Sequence, residues 1–318
     1  MPDQPDRKLL HLLGGVSFDP VFIIGDHRSG TTLLYKILAD SGNFQVLNAY
    51  HIVHYDEILF NHQAGQEQAA KQRLAARFGE LGISDRIIDS VPASPDTPEE
   101  YGFALEDSRR PHVRSANHAR MVEICRKLQF TQTGNKTLLL KNPWDALSFA
   151  DLKTFFPSAR FVFLHRHPLG VINSQLRAIR SLVSVRNEYT ILLAQWYARL
   201  WRSPLRLALM RATFAKGAPW WRSIIPPHVL RANRYFAENI GKIPADDRIS
   251  ITYEDLCRNP RETVGKLLGF LRVQPAVALA YESMISQRDP ELLPEISQRR
   301  KQVLSGFQPY LAAHGYGE

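Results

Sequence analysis

The sequence predicts an α/β fold, a doubly wound parallel sheet flanked by helices with additional helical insertions, and three observations carry that reading. Four short apolar runs, at residues 21–24, 137–140, 161–164 and 249–252, have the length and the β-branched or aromatic content of buried strands. Segments of helical periodicity separate them, and residues 137–164 read as strand, helix, strand, the unit that a right-handed crossover closes into a parallel sheet. Each run gives way to polar residues and a turn. Chemistry-bearing side chains therefore fall at strand carboxyl ends, where open α/β sheets bind ligands.

The first strand leads directly into Gly25-Asp26-His27-Arg28-Ser29-Gly30-Thr31-Thr32, after which Leu33, Leu34, Ile37 and Leu38 recur at helical spacing. Strand, glycine-bounded turn and helix together direct backbone N–H groups and the positive end of a helix dipole into one concavity, where a phosphate or sulfate fits. The plan is P-loop-like. It departs from G-x-x-x-x-G-K-[ST], because Thr31 stands where that motif has its lysine and a cation comes earlier, at Arg28. Without the lysine the cradle is poorly equipped to cleave ATP or GTP.

Elsewhere, residues 1–17 read as a lead-in. Asp40-Ser41-Gly42-Asn43 stops the first helix, and helical pattern resumes near Tyr50. Residues 61–82 read as an amphipathic surface helix. Pro92, Pro95 and Pro98 break the next stretch into a loop long enough to line a cleft. Helices are expected at 116–130 and 147–156, from Pro168 onward, and after Asn259-Pro260, where Val264, Leu267, Leu268 and Leu271 share a face. Residues 181–245 read as a helical insertion expected to shape the substrate side of the site. The whole of 1–318 is expected to be one domain, without repeats or low-complexity tracts.

Composition narrows the class less than the motifs do. The net charge of +9 asks for an anionic partner, yet no nucleic-acid module is present. Cys125 and Cys257 lie far apart in no metal-like spacing, so neither a disulfide framework nor a zinc site is indicated and a cytoplasmic setting is the default. The first residues lack a signal-peptide pattern, and no apolar window is long enough to span a bilayer.

Arg28-Ser29-Gly30-Thr31-Thr32, entering a helix from a strand, resembles the 5'-phosphosulfate loop of sulfotransferases that use 3'-phosphoadenosine 5'-phosphosulfate (PAPS). It is most similar to the branch whose loop carries arginine, which includes tyrosylprotein sulfotransferases and many bacterial enzymes. The resemblance covers residues 20–60, 135–180 and 245–275. It implies PAPS as cofactor, released as 3'-phosphoadenosine 5'-phosphate (PAP), no metal, and a hydroxyl-bearing acceptor that attacks sulfur in line with the departing phosphate. Arg28, Ser29, Gly30, Thr31 and Thr32 then hold the sulfated end.

At the strand ending in residues 161–164, Arg166 is delivered to the carboxyl edge, Pro168 starts a helix, and Ser174 lies on it. One guanidinium fork and one hydroxyl can hold a second phosphate. The resemblance assigns Arg166 and Ser174 to the 3'-phosphate. The family's further basic residue one turn on falls at Ala178 here, between Arg177 and Arg180. Tyr253, in Tyr253-Glu254-Asp255-Leu256, resembles the tyrosine that helps bind the adenosine half. Arg299-Arg300-Lys301 reads as a solvated charge run or a basic lid.

Lys141, in Lys141-Asn142-Pro143, matches a lysine that approaches the transferring group, where positive charge answers the negative charge developing on the leaving oxygen. The cytosolic enzymes' catalytic histidine would fall at Pro143, so that pattern does not transfer. The nearest titratable groups after the cradle helix are His51, His54, Asp56 and Glu57, and histidine suits proton removal near neutral pH. His51, then His54, is the expected general base. Asp26 and His27 depart from the family's uncharged loop positions.

Residues 196–225 mix Trp196, Trp201, Trp220 and Trp221 with six Arg or Lys. An interfacial helix that contacts a membrane peripherally and a buried helical hairpin with snorkelling arginines both fit this pattern. The first would suit a lipid- or glycan-linked acceptor. Two other functions remain open at this level. A P-loop kinase for a small molecule would need a lysine near Thr31 and carboxylates for magnesium. A non-catalytic nucleotide binder is compatible with the charge.

Overall fold

All four residues of Val21–Ile24 (β1) are buried, as a strand covered on both faces requires, and β1 occupies the middle of a five-stranded parallel sheet. The order is β2-β3-β1-β4-β5, with β2 at Phe44–Val46, β3 at Thr137–Lys141, β4 at Arg160–His165 and β5 at Arg248–Thr252. The computed structural model describes residues 4–87, 91–105, 111–277, 279–285 and 291–316. From β1 the chain crosses to one side of the sheet for β2 and β3, and then to the other for β4 and β5. The order therefore reverses between β1 and β4, and a crevice opens at their carboxyl ends.

Alternation along the strands separates two cores. Phe22, Ile24, Leu138, Leu140, Phe161 and Phe163 face helices α5 (His118–Thr131) and α6 (Phe149–Phe155), while Val21, Ile23, Leu139, Val162 and Leu164 face α1 (Thr31–Asp40) and the helix Pro260–Leu271. Between β4 and β5 the chain is helical throughout its regular structure: α7 (Pro168–Ser184), α8 (Glu188–Leu193), α9 (Gln195–Trp201), α10 (Pro204–Phe214) and α11 (Ile225–Asn239), with short 3-10 turns.

The sequence reading omits β2. Its three residues lie at a sheet edge with only Phe44 buried, too short a run to show a period. The helix expected over 61–82 is two helices, α3 (Ile58–Gln63) and α4 (Glu67–Glu80), because Gly65 takes a left-handed φ of 65° between them. The lead-in is anchored. Asp6 is buried, accepts the N–H groups of Leu59 and Phe60 at the start of α3, and pairs with Lys127 at 2.8 Å.

Candidate active site

The loop after β1 closes on itself and on two other strands. A Cβ on Gly25 would lie 2.7 Å from Ser29 Oγ and 2.8 Å from the Leu164 carbonyl, so only glycine lets the loop fold back against β4. Gly30 has φ of 100°, and a Cβ there would come within 2.3 Å of the Tyr253 ring. Arg28 adopts φ of 69°, a left-handed conformation that costs a non-glycine residue about 1 kcal/mol or more. Beyond the loop, α1 begins at Thr31 and its opening N–H groups have no carbonyl within the helix to serve them. Ser29 Oγ, in the same turn, is buried without a hydrogen-bond partner among the described residues.

Two guanidinium groups border this turn. Arg166 Nη1 donates to the Arg28 carbonyl at 3.0 Å, and Arg28 Nε donates to Ser174 Oγ at 3.1 Å. The Arg166 guanidinium lies 4.2 Å from the centroid of the Tyr253 ring, which also touches the Gly30 position from below. Gln175, next to Ser174 on α7, donates to the His27 carbonyl at 2.8 Å. The ends of β1, β4 and β5 and the first turns of α7 are thereby fastened together. The structure thus brings Arg28, Gly30, Arg166, Ser174 and Tyr253 to one crevice.

On the β3 side of α1, buried Lys141 Nζ donates to Thr32 Oγ1 at 3.1 Å and to Glu100 Oε1 at 2.9 Å. The framework beneath is over-determined. Tyr101 donates to Asp145 at 2.6 Å, and Asp145 also accepts from Val113 N at 3.2 Å and Ser148 Oγ at 3.2 Å. Residues 100–101 and 141–145 are therefore laced side by side. Burial alone would raise the Glu100 pKa, but the positive charge of Lys141, aided by His27, outweighs it and holds the carboxyl below its usual range. Burial lowers the His27 pKa, partly countered by Glu100 and Asp26. Within the loop, Asp26 Oδ1 accepts the His27 N–H at 2.7 Å and lies 3.6 Å from His228 Nε2.

Glu100 is the residue that sequence reasoning misses. It reaches Lys141 because the proline-broken loop of residues 91–98 ends there, and adjacent Glu99 turns away to Tyr189 (2.7 Å) and Arg86 (3.0 Å). Two consecutive carboxylates closing such a loop are the signal that was present.

His51 and His54, the expected bases, do not lie on one helix. Helix α2 (Ala49–Val53) ends before His54, and His51 Nδ1 accepts the Asn48 N–H at 3.2 Å while Asn48 Oδ1 accepts the His51 N–H at 3.0 Å. The His51 ring thus caps its own helix. Burial, together with Lys71, pushes its pKa down to about 3 and leaves it a weak base. His54 bonds Glu57 Oε2 at 3.0 Å and lines a cleft of about 340 Å³. Gly102 and Phe103, just after Glu100, form part of that cleft, and Arg120, Leu192 and Trp196 form other parts.

The basic residues near Ala178 have structural duties. Arg177 donates to the Glu291 carbonyl at 2.9 Å, and Arg180 donates to the Phe214 carbonyl at 2.7 Å and pairs with Glu295 at 2.7 Å. Arg299, Arg300 and Lys301 are exposed where the short helix Arg300–Leu304 begins. Among the described residues, no group of three or more His, Cys, Asp or Glu is arranged to hold a metal ion.

A family model described as "Sulfotransferase family" matches residues 20–276. Similar solved structures include sulfotransferase STF9 from Mycobacterium avium, at 15% identity and TM-score 0.63, covering 98% of this chain and 81% of that one. Sulfotransferase STF1 from Mycobacterium tuberculosis H37Rv is similar at 14% identity and TM-score 0.58, with coverages of 96% and 80%. A sulfotransferase from Alicyclobacillus acidocaldarius gives 12%, 0.50, and coverages of 95% and 98%. At these identities the likeness is one of fold. No curated protein sequence matches the chain.

Proposed function

Because this chain belongs to the sulfotransferase family, we propose that it moves a sulfuryl group from PAPS to a hydroxyl acceptor by in-line displacement, with Glu100 as general base. The observation that supports this most is the three-membered contact Thr32–Lys141–Glu100 at the opening of α1, opposite the arginine pair. The turn suits an anionic donor. Ser29 has an unpartnered buried hydroxyl, and the hollows at Gly25 and Gly30 leave no room for a Cβ. Arg28, Ser29, Gly30, Thr31 and Thr32 would hold the sulfated end, Arg166 and Ser174 the 3'-phosphate, and Tyr253 the adenosine. When bound, the donor supplies an activated sulfuryl group on a phosphate leaving group.

The remaining chemistry belongs to the chain. Glu100 stays ionised near neutral pH, the state in which a carboxylate takes a proton from a hydroxyl. Lys141 provides a fixed cation beside the turn, where negative charge would otherwise accumulate unopposed. Its bond to Glu100 also keeps the carboxylate in position. His54 and the cleft of Gly102, Phe103 and Trp196 form the approach for the acceptor, and their mixed lining suits a molecule with polar and apolar parts.

Calorimetry tests the donor assignment. PAP is expected to bind at least about tenfold more tightly than ATP, a difference of about 1.4 kcal/mol. Equal affinities, or magnesium-dependent turnover of ATP, would overturn it.

A further inference from the structure

Helix α10 is apolar on two opposite sides. Leu207 and Phe214 are buried and Met210 packs beside them, whereas Leu205 and Leu209, one turn apart, are 82% and 67% exposed with exposed Ala208 and Ala212 alongside. A helix that meets only water on its outer side gains nothing from leucine there. The 3-10 turn Trp220–Ser223, which packs against α10, divides in the same way. Trp221 is buried, while Trp220 is 63% exposed and Ile224, just after the turn, is 47% exposed.

The surrounding charge is of one sign. Residues 189–237 contain eight Lys or Arg and no Asp or Glu, so this stretch carries +8 of a net charge of +9 and the rest of the chain is nearly balanced. Arg199, Arg202, Arg206, Arg211 and Lys216 are all exposed.

We infer that α10 and the turn Trp220–Ser223 form a docking surface for an anionic lipid bilayer. Leucine and tryptophan side chains enter the headgroup boundary and the arginines meet lipid phosphates, the arrangement of an interfacial helix. Among the described residues no helix is long and apolar enough to cross a membrane, so the contact is peripheral. A second copy of the chain is the poorer occupant, since a two-fold interface would set arginine against arginine with no carboxylate in the patch to answer it. Nucleic acid would satisfy the cations but leave Leu205 and Leu209 without partners. Leu192 and Trp196, at the start of the same basic stretch, line the cleft that also holds His54, Gly102 and Phe103, so an acceptor with an apolar anchor would meet bilayer and cleft along one segment. This surface does not depend on the sulfuryl-transfer reading.

The test is co-sedimentation of the full chain with vesicles of phosphatidylcholine, with or without phosphatidylglycerol. The wild type is expected to bind the anionic vesicles about tenfold or more tightly, in a salt-sensitive way. The triple variant Leu205→Ser, Leu209→Ser, Trp220→Ser keeps every charge. It is expected to lose that binding by about tenfold while its melting temperature and PAP affinity hold. Indifference of the wild type to both vesicles would overturn the inference, as would a triple variant that binds equally well. A wild-type dimer that the variant converts to monomer would assign the face to self-association, and retention on DNA without vesicle binding would assign it to nucleic acid.

Discussion

Arg166 Nη1 donates to the main-chain oxygen of Arg28 at 3.0 Å, so the cation at the end of β4 is bonded to the loop that presents the cation at the end of β1. The same guanidinium covers the Tyr253 ring, a second contact that its planar fork permits. Arg166→Lys keeps the charge but cannot make both contacts and also grip a phosphate. PAP affinity is expected to fall about 10- to 100-fold in calorimetry. Adenosine 5'-phosphosulfate, which lacks the 3'-phosphate, should lose much less. An equal loss for both ligands would remove Arg166 from the 3' site.

Gly30 and Tyr253 form a second tight pair. Gly30→Ala adds a Cβ at 2.3 Å from the ring in a backbone with φ of 100°, and a cost of about 1–3 kcal/mol in chemical denaturation is expected. Donor affinity should fall with it as the ring moves from beneath Arg166. Adding Tyr253→Ala relieves the clash but not the backbone strain, so the double variant should lose less stability than the two single variants' losses summed. Strict additivity would show that the ring is not what excludes a side chain at Gly30.

The base can be identified by two substitutions. Glu100→Gln is expected to lower kcat by about 10²–10⁴-fold with donor affinity changed only a few-fold, whereas His54→Gln should keep most of the wild-type kcat. Lys141 holds the Glu100 carboxyl below its ordinary 4.5, so the ionised base persists down to that pH and kcat/KM should stay level from pH 8 to 5. The reverse ranking of the two variants would return the role to histidine.

What the sequence shows and what it hides follow from range. The strand, turn and helix around Arg28, and the Arg166 to Ser174 unit, are local patterns in which neighbours in sequence are neighbours in space. For Glu100 the sequence offers only the pair of carboxylates closing the proline-broken loop, and which of the two meets Lys141 is decided by a tertiary contact, Tyr101 meeting Asp145 across a long sequence separation. His51 is an intermediate case. Asn48 and His51 stand at the spacing of a helix cap and its third residue, yet a chemistry-bearing histidine attracts a catalytic reading before a capping one. The tryptophan-rich stretch left two readings open, and only the fold shows that Trp221 turns inward and Trp220 outward.

Acid sensitivity should arise from the residue next to Arg166. His165 is buried at the end of β4, with Nε2 3.3 Å from Ser250 Oγ and Nδ1 3.2 Å from the Tyr310 hydroxyl, and it packs against Phe236 and His314. Burial, helped by His314, pushes its pKa from an ordinary 6.5 down to about 3. Between those values the unfolded chain binds a proton that the native state refuses, so stability is whole above pH 6.5 and is lost as pH falls toward 3. At pH 5 the loss is about 2 kcal/mol for each such histidine, and His51 adds a similar amount. His165→Gln cannot take up the proton. Melting temperatures at pH 7.5 and 5 should therefore show a smaller acid drop for this variant, even if it starts less stable. Tyr310 lies on the helix Gln308–Ala313, so protonation of His165 would also loosen that helix from the strand that presents Arg166. PAP affinity should then decline before global unfolding; an acid drop in the variant as large as in the wild type would show that His165 titrates normally in the native state.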